Sequence, residues 1–289
     1  MIKDFIKTAR PSHYSKNIFV FSALIFAQKF LKFENIILTF WVFLSFCLAA
    51  SAVYFLNDLF DKKEDSLHLS KKNRPIAAGR ITVNQAIIAY LFLLIASCLV
   101  SLILVNKYVF IIILVYLILN IFYSWKLKHV VLLDIFIVSF GFVLRVVAGG
   151  VAIGIGISEW LLMCVILLSL FLAIAKRREE FIGYETSINT TRKVISYYNE
   201  KLLDQMIAIV ASLTIISYSL YTILNENFNH LIYSIPFVLY GIFRYLYIVY
   251  KNDGGAKPEK ELLKDKHIIF AVLLWMLISI ITITFFQKN

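Results

Sequence analysis

Long apolar runs recur along this chain of 289 residues and limit its fold more than any other feature. A helix needs about 20 mostly apolar residues to cross about 30 Å of hydrocarbon, and nine runs approach or reach that length. Hydrophobic residues make up 61% of the chain, whereas a soluble domain is usually about half apolar. A single globular core cannot enclose this excess, so the sequence predicts an all-α, polytopic membrane protein.

We predict nine transmembrane helices in a single domain over residues 1–289, arranged around a central pocket that opens to the cytoplasm. The third and fourth predicted helices are separated only by Asn106 and Lys107, which indicates a tight turn between antiparallel neighbours. The predicted ranges, from the N-terminus onwards, are 17–31, 36–57, 84–105, 108–124, 131–152, 158–175, 205–224, 231–250 and 267–286.

The basic residues are distributed unevenly between the two ends of these helices. Of the 29 Lys and Arg residues, 23 lie on the side of the N-terminus, 4 lie on the opposite side, and Arg145 and Arg244 lie within predicted helices. Because cytoplasmic loops carry an excess of Lys and Arg, the N-terminus and the long polar loops are predicted to be cytoplasmic. The net charge of +11 does not indicate nucleic-acid binding, because the basic residues alternate with apolar runs.

An acidic cluster follows the second apolar run. Asp58, Asp61 and Asp65 stand at positions i, i+3 and i+7, which fall within about 60° of one another on a continuous helix. Carboxylates this close repel one another unless a cation lies between them, and such oxygen ligands suit Mg²⁺ bound together with substrate phosphates. Asn57 can donate a hydrogen bond to a phosphate oxygen. The alternative interpretation is a solvated, charged helix end that the neighbouring lysines neutralise.

Basic side chains near the acidic cluster are candidates for binding phosphate groups. Arg74 follows the cluster in a loop that Pro75 and Gly79 mark as structured, and a guanidinium group can bind a diphosphate through two parallel hydrogen bonds. The other cationic candidates, each also explained by the excess of positive charge on the cytoplasmic side, are Lys16 with Asn17 at the first predicted helix and Lys176 with Arg177 at the end of the sixth.

Arg145 lies inside the fifth predicted helix, eleven residues after Asp134. Eleven residues make three helical turns, so both side chains project from the same face, about 16 Å apart along the axis. An arginine within the membrane costs at least about 2.5 kcal/mol, which makes Arg145 a candidate functional residue. The alternative is a structural pair with a partner that the sequence does not reveal.

The ends of the second and fourth predicted helices are similar to each other. Tyr54 and Tyr123 occupy equivalent places near these ends, which suggests two related helix pairs around one pocket. Where the first pair is followed by several carboxylates, the second is followed by Lys126, Lys128 and a single Asp134.

Four stretches of the chain together match the pattern of one known family. They are Arg10-Pro11 with Lys16-Asn17, Asn57 to Asp65 continuing into Asn73 to Gly79, Tyr123-Ser124 through Arg145 to Gly150, and Ala175 to Arg178. In these stretches the chain resembles the UbiA-type prenyltransferase superfamily, and in finer detail its decaprenyl-phosphate phosphoribosyltransferase-like branch. Members that use prenyl diphosphates carry a second motif of several Asp residues, which this sequence does not contain.

The resemblance implies an Mg²⁺-dependent enzyme in a bacterial-type inner (plasma) membrane, and it is compatible with an oligomer. The implied reaction transfers 5-phosphoribose from phosphoribosyl pyrophosphate to a polyprenyl phosphate and releases diphosphate. It implies metal binding by Asp58, Asp61 and Asp65, and catalysis by Asp58, Asp61, Lys126 and Arg145. The implied substrate-binding residues are Lys16, Asn17, Tyr54, Asn57, Arg74, Tyr123, Lys128, Asp134, Lys176 and Arg177.

Two other functions remain open from the sequence. A prenyltransferase would move an isoprenoid from its diphosphate to an aromatic acceptor on the same scaffold, and it would require a second carboxylate cluster. A transporter or lipid carrier would place its ion site near the bilayer midplane, within broken helices. The carboxylates of this chain stand at the cytoplasmic edge of a predicted helix instead, which favours an enzyme.

Overall fold

The computed structural model describes residues 1–68, 71–186, 193–224, 230–251 and 264–285. Throughout these ranges the chain forms α-helices, short 3₁₀ segments and turns without a β-strand, which confirms the all-α prediction. The residues group into two compact units, and the single domain over 1–289 stays a prediction. The first unit contains Met1–Gly156 with Ser187–Val194, and the second contains Ile157–Thr186 with Ile195–Asn289.

The first unit contains four long α-helices and three short ones. The longest has 28 residues, of which most are apolar, and charged residues, Lys32 and Asp61, flank its two ends. A 3₁₀ segment, Pro11–Phe21, precedes the second helix. The helices are α1 (Ile2–Ala9), α2 (Ser22–Phe26), α3 (Phe33–Phe60), α4 (Lys62–Leu67), α5 (Val83–Leu104), α6 (Lys107–Trp125) and α7 (Leu133–Ala152).

The second unit has four described helices, which are α8 (Glu159–Thr186), α9 (Glu200–Leu224), α10 (Ile235–Lys251) and α11 (Lys266–Phe285). Asp265 caps α11, because its Oδ1 accepts hydrogen bonds from the backbone N–H groups of His267 and Ile268 at 3.0 Å each. Arg244 of α10 pairs with the same carboxylate at 2.9 Å. This hydrogen bond from the guanidinium holds the pKa of Asp265 below its usual value.

Seven helices of the described part are long and apolar enough to cross a membrane, so the chain is a multi-pass membrane protein. They are α3, α5, α6, α7, α9, Glu159–Gly183 within α8, and Leu231–Lys251, which includes α10. The apolar part of α11, Lys266–Thr282, is shorter. The first predicted span, 17–31, consists of 3₁₀ segments on either side of the five-residue α2. The count of nine spans therefore stays a prediction.

Side-chain caps fix where two of the membrane helices begin. Asn106 accepts hydrogen bonds from the backbone N–H groups of Tyr108 and Val109 at 3.0 and 2.9 Å, which starts α6 after only two residues that follow the end of α5. At the start of α5, Thr82 and Gln85 each accept a hydrogen bond from the backbone N–H of the other. Such caps satisfy backbone donors that a helix end leaves unpaired. The tight turn predicted at Asn106 and Lys107 is therefore present one residue earlier, at Val105 and Asn106.

The core of the first unit lies where α3, α6, α7 and the 3₁₀ segment meet. Phe46, Ile113 and Val20 are fully buried in this core. A Cβ atom added at Gly149 of α7 would lie 2.0 Å from the carbonyl oxygen of Val20. Small residues allow membrane helices to approach closely, and here glycine allows α7 to touch the backbone of the 3₁₀ segment.

The short helix α1 anchors the loop that follows α4. Asp4 pairs with Arg80 at 2.9 Å, and Lys7 donates to the carbonyl oxygen of Asn73 at 3.4 Å. Arg80 also donates to the carbonyl oxygen of Asn73 at 2.8 Å. Ile76, in the middle of this loop, is fully buried in a cluster with Phe55. The backbone of the loop that carries Arg74 is therefore held from two sides.

Candidate active site

The acidic cluster stands at a break between two helices. α3 ends at Phe60, and α4 begins at Lys62, so Asp61 is the junction residue. Backbone hydrogen bonds with helical spacing continue across the junction, from Asp61 to the Asn57 carbonyl oxygen and from Asp65 to the Asp61 carbonyl oxygen. The helical hydrogen bonding assumed from the sequence is therefore kept across the junction, but the three carboxylates have different partners.

Asp58 is the most heavily partnered of the three carboxylates. It is 2% exposed, and its Oδ1 accepts from Arg10 at 2.5 Å and from Arg74 at 3.2 Å. A buried carboxylate requires such partners, because removing its charge from water costs several kcal/mol. Both arginines remain partly exposed, at 22% and 28% of their side-chain surface. The Asp58 oxygen therefore faces two cations that each keep part of their side chain exposed.

Asp65 is joined to Asp58 through one nitrogen atom of Arg74. Nη1 of Arg74 lies 2.6 Å from Oδ2 of Asp65 and 3.2 Å from Oδ1 of Asp58. Asp65 is 2% exposed, like Asp58. The guanidinium thus occupies the position between two buried carboxylates where a bridging cation would bind.

Asp61 pairs with a lysine from the loop between α6 and α7. Its Oδ1 accepts a hydrogen bond from Nζ of Lys128, whose side chain is 8% exposed. Lys126, the lysine to which the sequence assigned a catalytic role, has an exposed side chain. The two lysines alternate along a short 3₁₀ turn, so the sequence could not show which of them turns towards Asp61.

The ends of α3 and α6 meet beside the cluster. Ser124 donates its hydroxyl hydrogen to Oδ1 of Asn57 and is itself 1% exposed. Tyr123, its neighbour, is also buried. Asp134 is fully buried at the start of α7. The residues that the sequence placed after the fourth predicted helix therefore adjoin those placed after the second.

Arg10 belongs to the site, although the sequence reasoning gave it no role. Its guanidinium lies 4.7 Å above the ring of Tyr54 and pairs with Asp58. The Tyr54 hydroxyl in turn hydrogen-bonds Nδ1 of His13 at 2.9 Å. Arg10 has a φ of 53°, in the left-handed region that residues other than glycine rarely adopt. The sequence feature that could have indicated this role is the Arg10-Pro11 pair, because a proline restricts the backbone of the preceding residue and α1 ends there.

Arg145 is buried and tied to three elements of the first unit. Nε donates to Oδ1 of Asn17 at 2.7 Å, Nη1 to the carbonyl oxygen of Gly141 at 2.6 Å, and Nη2 to the hydroxyl of Tyr116 at 3.2 Å. Its guanidinium also lies 4.9 Å from the centre of the Tyr116 ring and 5.2 Å from that of Phe46. These contacts supply the partners that the sequence did not reveal. Arg145 is placed to join α7 to α6 and to the 3₁₀ segment.

Asn17 links this buried arginine to the start of the chain. It is fully buried and also donates to Sγ of Cys47 at 3.2 Å. Lys16 precedes it on the same 3₁₀ segment and is half-buried. Asn17 therefore serves the Arg145 contact in this structure, and Lys16 keeps part of its side chain accessible.

His68 lies close to the acidic cluster, at the end of α4. Burial lowers its pKa, and the nearby Lys71 lowers it further. Its Nδ1 accepts a hydrogen bond from the backbone N–H of Lys71 at 3.4 Å. This acceptor role requires an unprotonated Nδ1, in agreement with a lowered pKa.

The basic cluster at 176–178 lies in the second unit, and its arginines are neutralised there. Arg177, 5% exposed, pairs with Glu180 one turn later on α8. Arg178 pairs with Glu200 at 2.7 Å and with Asp204 at 2.6 Å, and it lies 4.5 Å above a tyrosine ring. Lys176 is half-buried. The ion pairs of Arg178 join α8 to α9, so this cluster has a structural use within its own unit.

The donor set of the acidic cluster suits a hard divalent cation, because carboxylate oxygens are the ligands that Mg²⁺ prefers. Arg74 shows that one positively charged atom fits between Asp58 and Asp65. Within the described residues, however, no three His, Cys, Asp or Glu side chains are arranged to hold a metal as they stand. The chemistry of the site therefore fits a metal only after the cations now paired with the carboxylates have moved.

Fold and site together define a class of protein. Its members are multi-pass helical membrane proteins with partly buried carboxylates and cations at the end of one long helix. A family model described as the UbiA prenyltransferase family matches residues 18–270. The chain therefore belongs to the UbiA prenyltransferase family.

The similar curated proteins include two with the same name. The chain is 34% identical over 280 residues to the decaprenyl-phosphate phosphoribosyltransferase of Corynebacterium glutamicum, covering 94% of this chain and 84% of the relative. It is 32% identical over 294 residues to the decaprenyl-phosphate phosphoribosyltransferase of Mycolicibacterium smegmatis, covering 96% and 91% respectively. Both matches extend over nearly the whole chain.

The fold is also similar to that of solved membrane proteins. A UbiA homolog from Archaeoglobus fulgidus bound to GPP and Mg²⁺ superposes with a TM-score of 0.73 and 17% sequence identity. The match covers 97% of this chain and 99% of that one. The UbiA fold is therefore confirmed across nearly all of the chain.

Proposed function

We propose that this protein is an Mg²⁺-dependent membrane enzyme that transfers 5-phosphoribose from phosphoribosyl pyrophosphate to a polyprenyl phosphate and releases diphosphate. The observation that carries this proposal is the similarity, along nearly the whole chain, to two proteins named decaprenyl-phosphate phosphoribosyltransferase. The site supports it, because three carboxylates and three cations lie together, as a metal and a diphosphate require.

Mg²⁺ would be held by Asp58, Asp61 and Asp65, and it would neutralise charge on the leaving diphosphate. The fold comparison agrees with a divalent metal, since the Archaeoglobus fulgidus homolog is described with bound Mg²⁺. Asp58 and Asp65 are buried, and Asp61 is more accessible at 20% of its side-chain surface. We assign Asp61 to the side of the site that the substrate reaches.

Arg10, Arg74 and Lys128 would bind and orient the diphosphate. Each already donates a hydrogen bond to a carboxylate oxygen of the cluster. A guanidinium group binds phosphate oxygens with the same fork geometry as carboxylate oxygens. Stabilising the charge that develops on the leaving group is the main contribution these residues can make. The acceptor phosphate is an anion at neutral pH, so correct positioning replaces a general base.

The remaining assignments from the sequence are proposals about lining and positioning. Tyr54 would line the pocket while it supports Arg10, and Asn57 would orient a phosphate or metal-bound water. Arg145 would act as a positioning residue, because protein groups already occupy three of its N–H donors. The other proposed contacts to substrate phosphates or to the pocket wall are those of Lys16, Asn17, Tyr123, Lys126, Asp134, Lys176 and Arg177.

We also propose that the N-terminus and the site face the cytoplasm of a bacterial-type inner membrane. The excess of Lys and Arg on that side of the helices supports this orientation. It agrees with the chemistry, because the phosphoribosyl donor is soluble in water and the acceptor is a membrane lipid. The acidic cluster at the end of α3 would then lie at the boundary between the two phases.

Purified protein in lipid vesicles tests the reaction directly. Phosphoribosyl pyrophosphate labelled in the ribose is supplied with polyprenyl phosphate, in the presence and absence of Mg²⁺. We expect label in the lipid extract only with Mg²⁺. The proposal would be overturned if the label stayed in the aqueous phase while a prenyl diphosphate and an aromatic acid were joined by the same preparation.

Lys128 and Lys126 provide a matched pair for testing the geometry of the site. We expect Lys128→Gln to lower transferase activity by about tenfold or more, because Lys128 is buried and pairs with Asp61. Lys126→Gln should have a smaller effect, because the side chain of Lys126 is exposed. Steady-state rates of the two variants show which lysine contributes more to the transfer. A larger loss for Lys126→Gln than for Lys128→Gln would favour the assignment made from the sequence alone.

A further inference from the structure

The position of Arg74 determines how a metal can enter the acidic cluster. Its Nη1 lies within 3.2 Å of both Asp58 Oδ1 and Asp65 Oδ2. A metal ion shared by these two oxygens would need the space that this nitrogen occupies. A metal ion that bridges Asp58 Oδ1 and Asp65 Oδ2 and the Arg74 contact are therefore mutually exclusive.

The charges of the cluster are balanced as it stands. Asp58, Asp61 and Asp65 are paired with Arg10, Arg74 and Lys128, so three negative charges face three positive charges. A divalent cation added alone would leave an excess of positive charge beside two displaced arginines in a partly buried site, which is unfavourable. A metal bound to a diphosphate brings negative charge of its own and gives the displaced arginines new acceptors.

The carboxylates and the arginines of the cluster differ in exposure. A transfer of the arginines from carboxylate oxygens to phosphate oxygens requires such a difference. Asp58 and Asp65 are 2% exposed, whereas Arg10 and Arg74 are 22% and 28% exposed. The carboxylates are thus fixed in the protein, and the guanidinium groups keep one side open. Each arginine can turn from a carboxylate oxygen to a phosphate oxygen without a change of hydrogen-bond geometry.

We propose that this site takes up its metal only as a metal–diphosphate complex, because Arg74 occupies the bridging position until a diphosphate draws it away. The inference rests on the proposed function for the kind of substrate, and it adds the order in which metal and diphosphate arrive. Free Mg²⁺ is excluded from the site, and the diphosphate group of the substrate delivers the ion. Arg74 therefore acts as a substitute cation that keeps the carboxylates neutralised between turnovers.

Equilibrium dialysis of the full-length protein in detergent tests this order, with labelled Mn²⁺ as the metal probe and inorganic diphosphate as the anion. We expect the wild-type protein to retain Mn²⁺ at least about tenfold more strongly when diphosphate is present than when it is absent. Labelled diphosphate should be retained in the same proportion as the metal. Equal retention of Mn²⁺ with and without diphosphate would overturn the inference.

Arg74→Gln gives the opposite expectation for the metal alone. Without the guanidinium, the site has an excess of negative charge, so Mn²⁺ alone should bind at least about tenfold more tightly than to the wild-type protein. Retention of diphosphate should fall. The matched control is Lys72→Gln, which removes a positive charge from the same loop, because the side chain of Lys72 is exposed and is not one of the cations paired with the cluster. It should behave as wild type, and an Arg74→Gln variant without tighter metal binding contradicts the proposal.

The outcomes separate this inference from the proposed reaction. Binding of the metal–diphosphate complex without phosphoribosyl transfer would support the order of binding and contradict the proposed substrate. Transfer of phosphoribose by a protein that binds Mn²⁺ equally well alone would do the reverse. If Arg74→Gln does not fold, the wild-type comparison still decides the question.

Discussion

Asp61→Asn is expected to lower the rate of phosphoribosyl transfer by about 100-fold or more while the protein stays folded. The substitution removes a proposed metal ligand and the charge that faces Lys128. It keeps the size of the side chain, and Asp61 is 20% exposed, so the loss of packing is small. The measurement is the initial rate at saturating Mg²⁺ and both substrates, together with the thermal unfolding temperature in detergent.

Glu64→Gln is the matched control for this variant. Glu64 lies three residues further on, within α4, and its side chain is exposed. Its removal should leave the rate unchanged, because Glu64 is outside the proposed metal ligands. A nearly normal rate for Asp61→Asn would remove Asp61 from the metal site, whereas an equal loss for both variants would point to the charge of the whole segment.

Gly149→Ala is expected to destabilise the protein by about 3 kcal/mol, the upper part of the range for overpacked sites. The added Cβ would lie 2.0 Å from the carbonyl oxygen of Val20 and 3.0 Å from its carbonyl carbon. Both are backbone atoms, so α7 and the segment Pro11–Phe21 would have to separate. The Arg145–Asn17 hydrogen bond spans these two elements, and it should weaken as well.

Thermal unfolding and retention of a single peak in size-exclusion chromatography measure this effect. Gly241→Ala serves as the control, since Gly241 also lies within a helix and an added Cβ there meets no atom within 4 Å. Alanine should raise stability slightly at this position, by about 0.5–1 kcal/mol. If Gly149→Ala unfolded at the wild-type temperature, the close approach to Val20 would be wrong.

Much of the helical fold could be predicted from the sequence, because lipid exposure leaves a strong signal. The ranges predicted as 84–105 and 108–124 correspond to α5 and α6, and the turn predicted at Asn106 and Lys107 lies one residue earlier, at Val105 and Asn106. The first predicted span was different, since 3₁₀ segments occupy most of its length. Apolar content indicates burial in lipid, but it does not distinguish an α-helix from a tighter 3₁₀ geometry set by neighbouring packing.

The site was predictable in its acidic part and less so in its basic part. Asp58, Asp61 and Asp65 share a short segment, so spacing alone brought them together. Arg10 reaches Asp58 from 48 positions away in the chain, and no local pattern encodes such a contact. Lys126 and Lys128 differ in exposure because of the turn that follows α6, whose geometry could not be read from their spacing.

The anchoring of the loop around Arg74 has a consequence for the time course of turnover. Asp4, Lys7 and the buried Ile76 hold the backbone of this loop, whereas the guanidinium of Arg74 is partly open. Rotation of a side chain takes picoseconds to nanoseconds, but the opening of a loop takes microseconds to milliseconds. The proposed handover of Arg74 between carboxylate and phosphate needs only rotation of a side chain, so we expect it to be much faster than the opening of a loop.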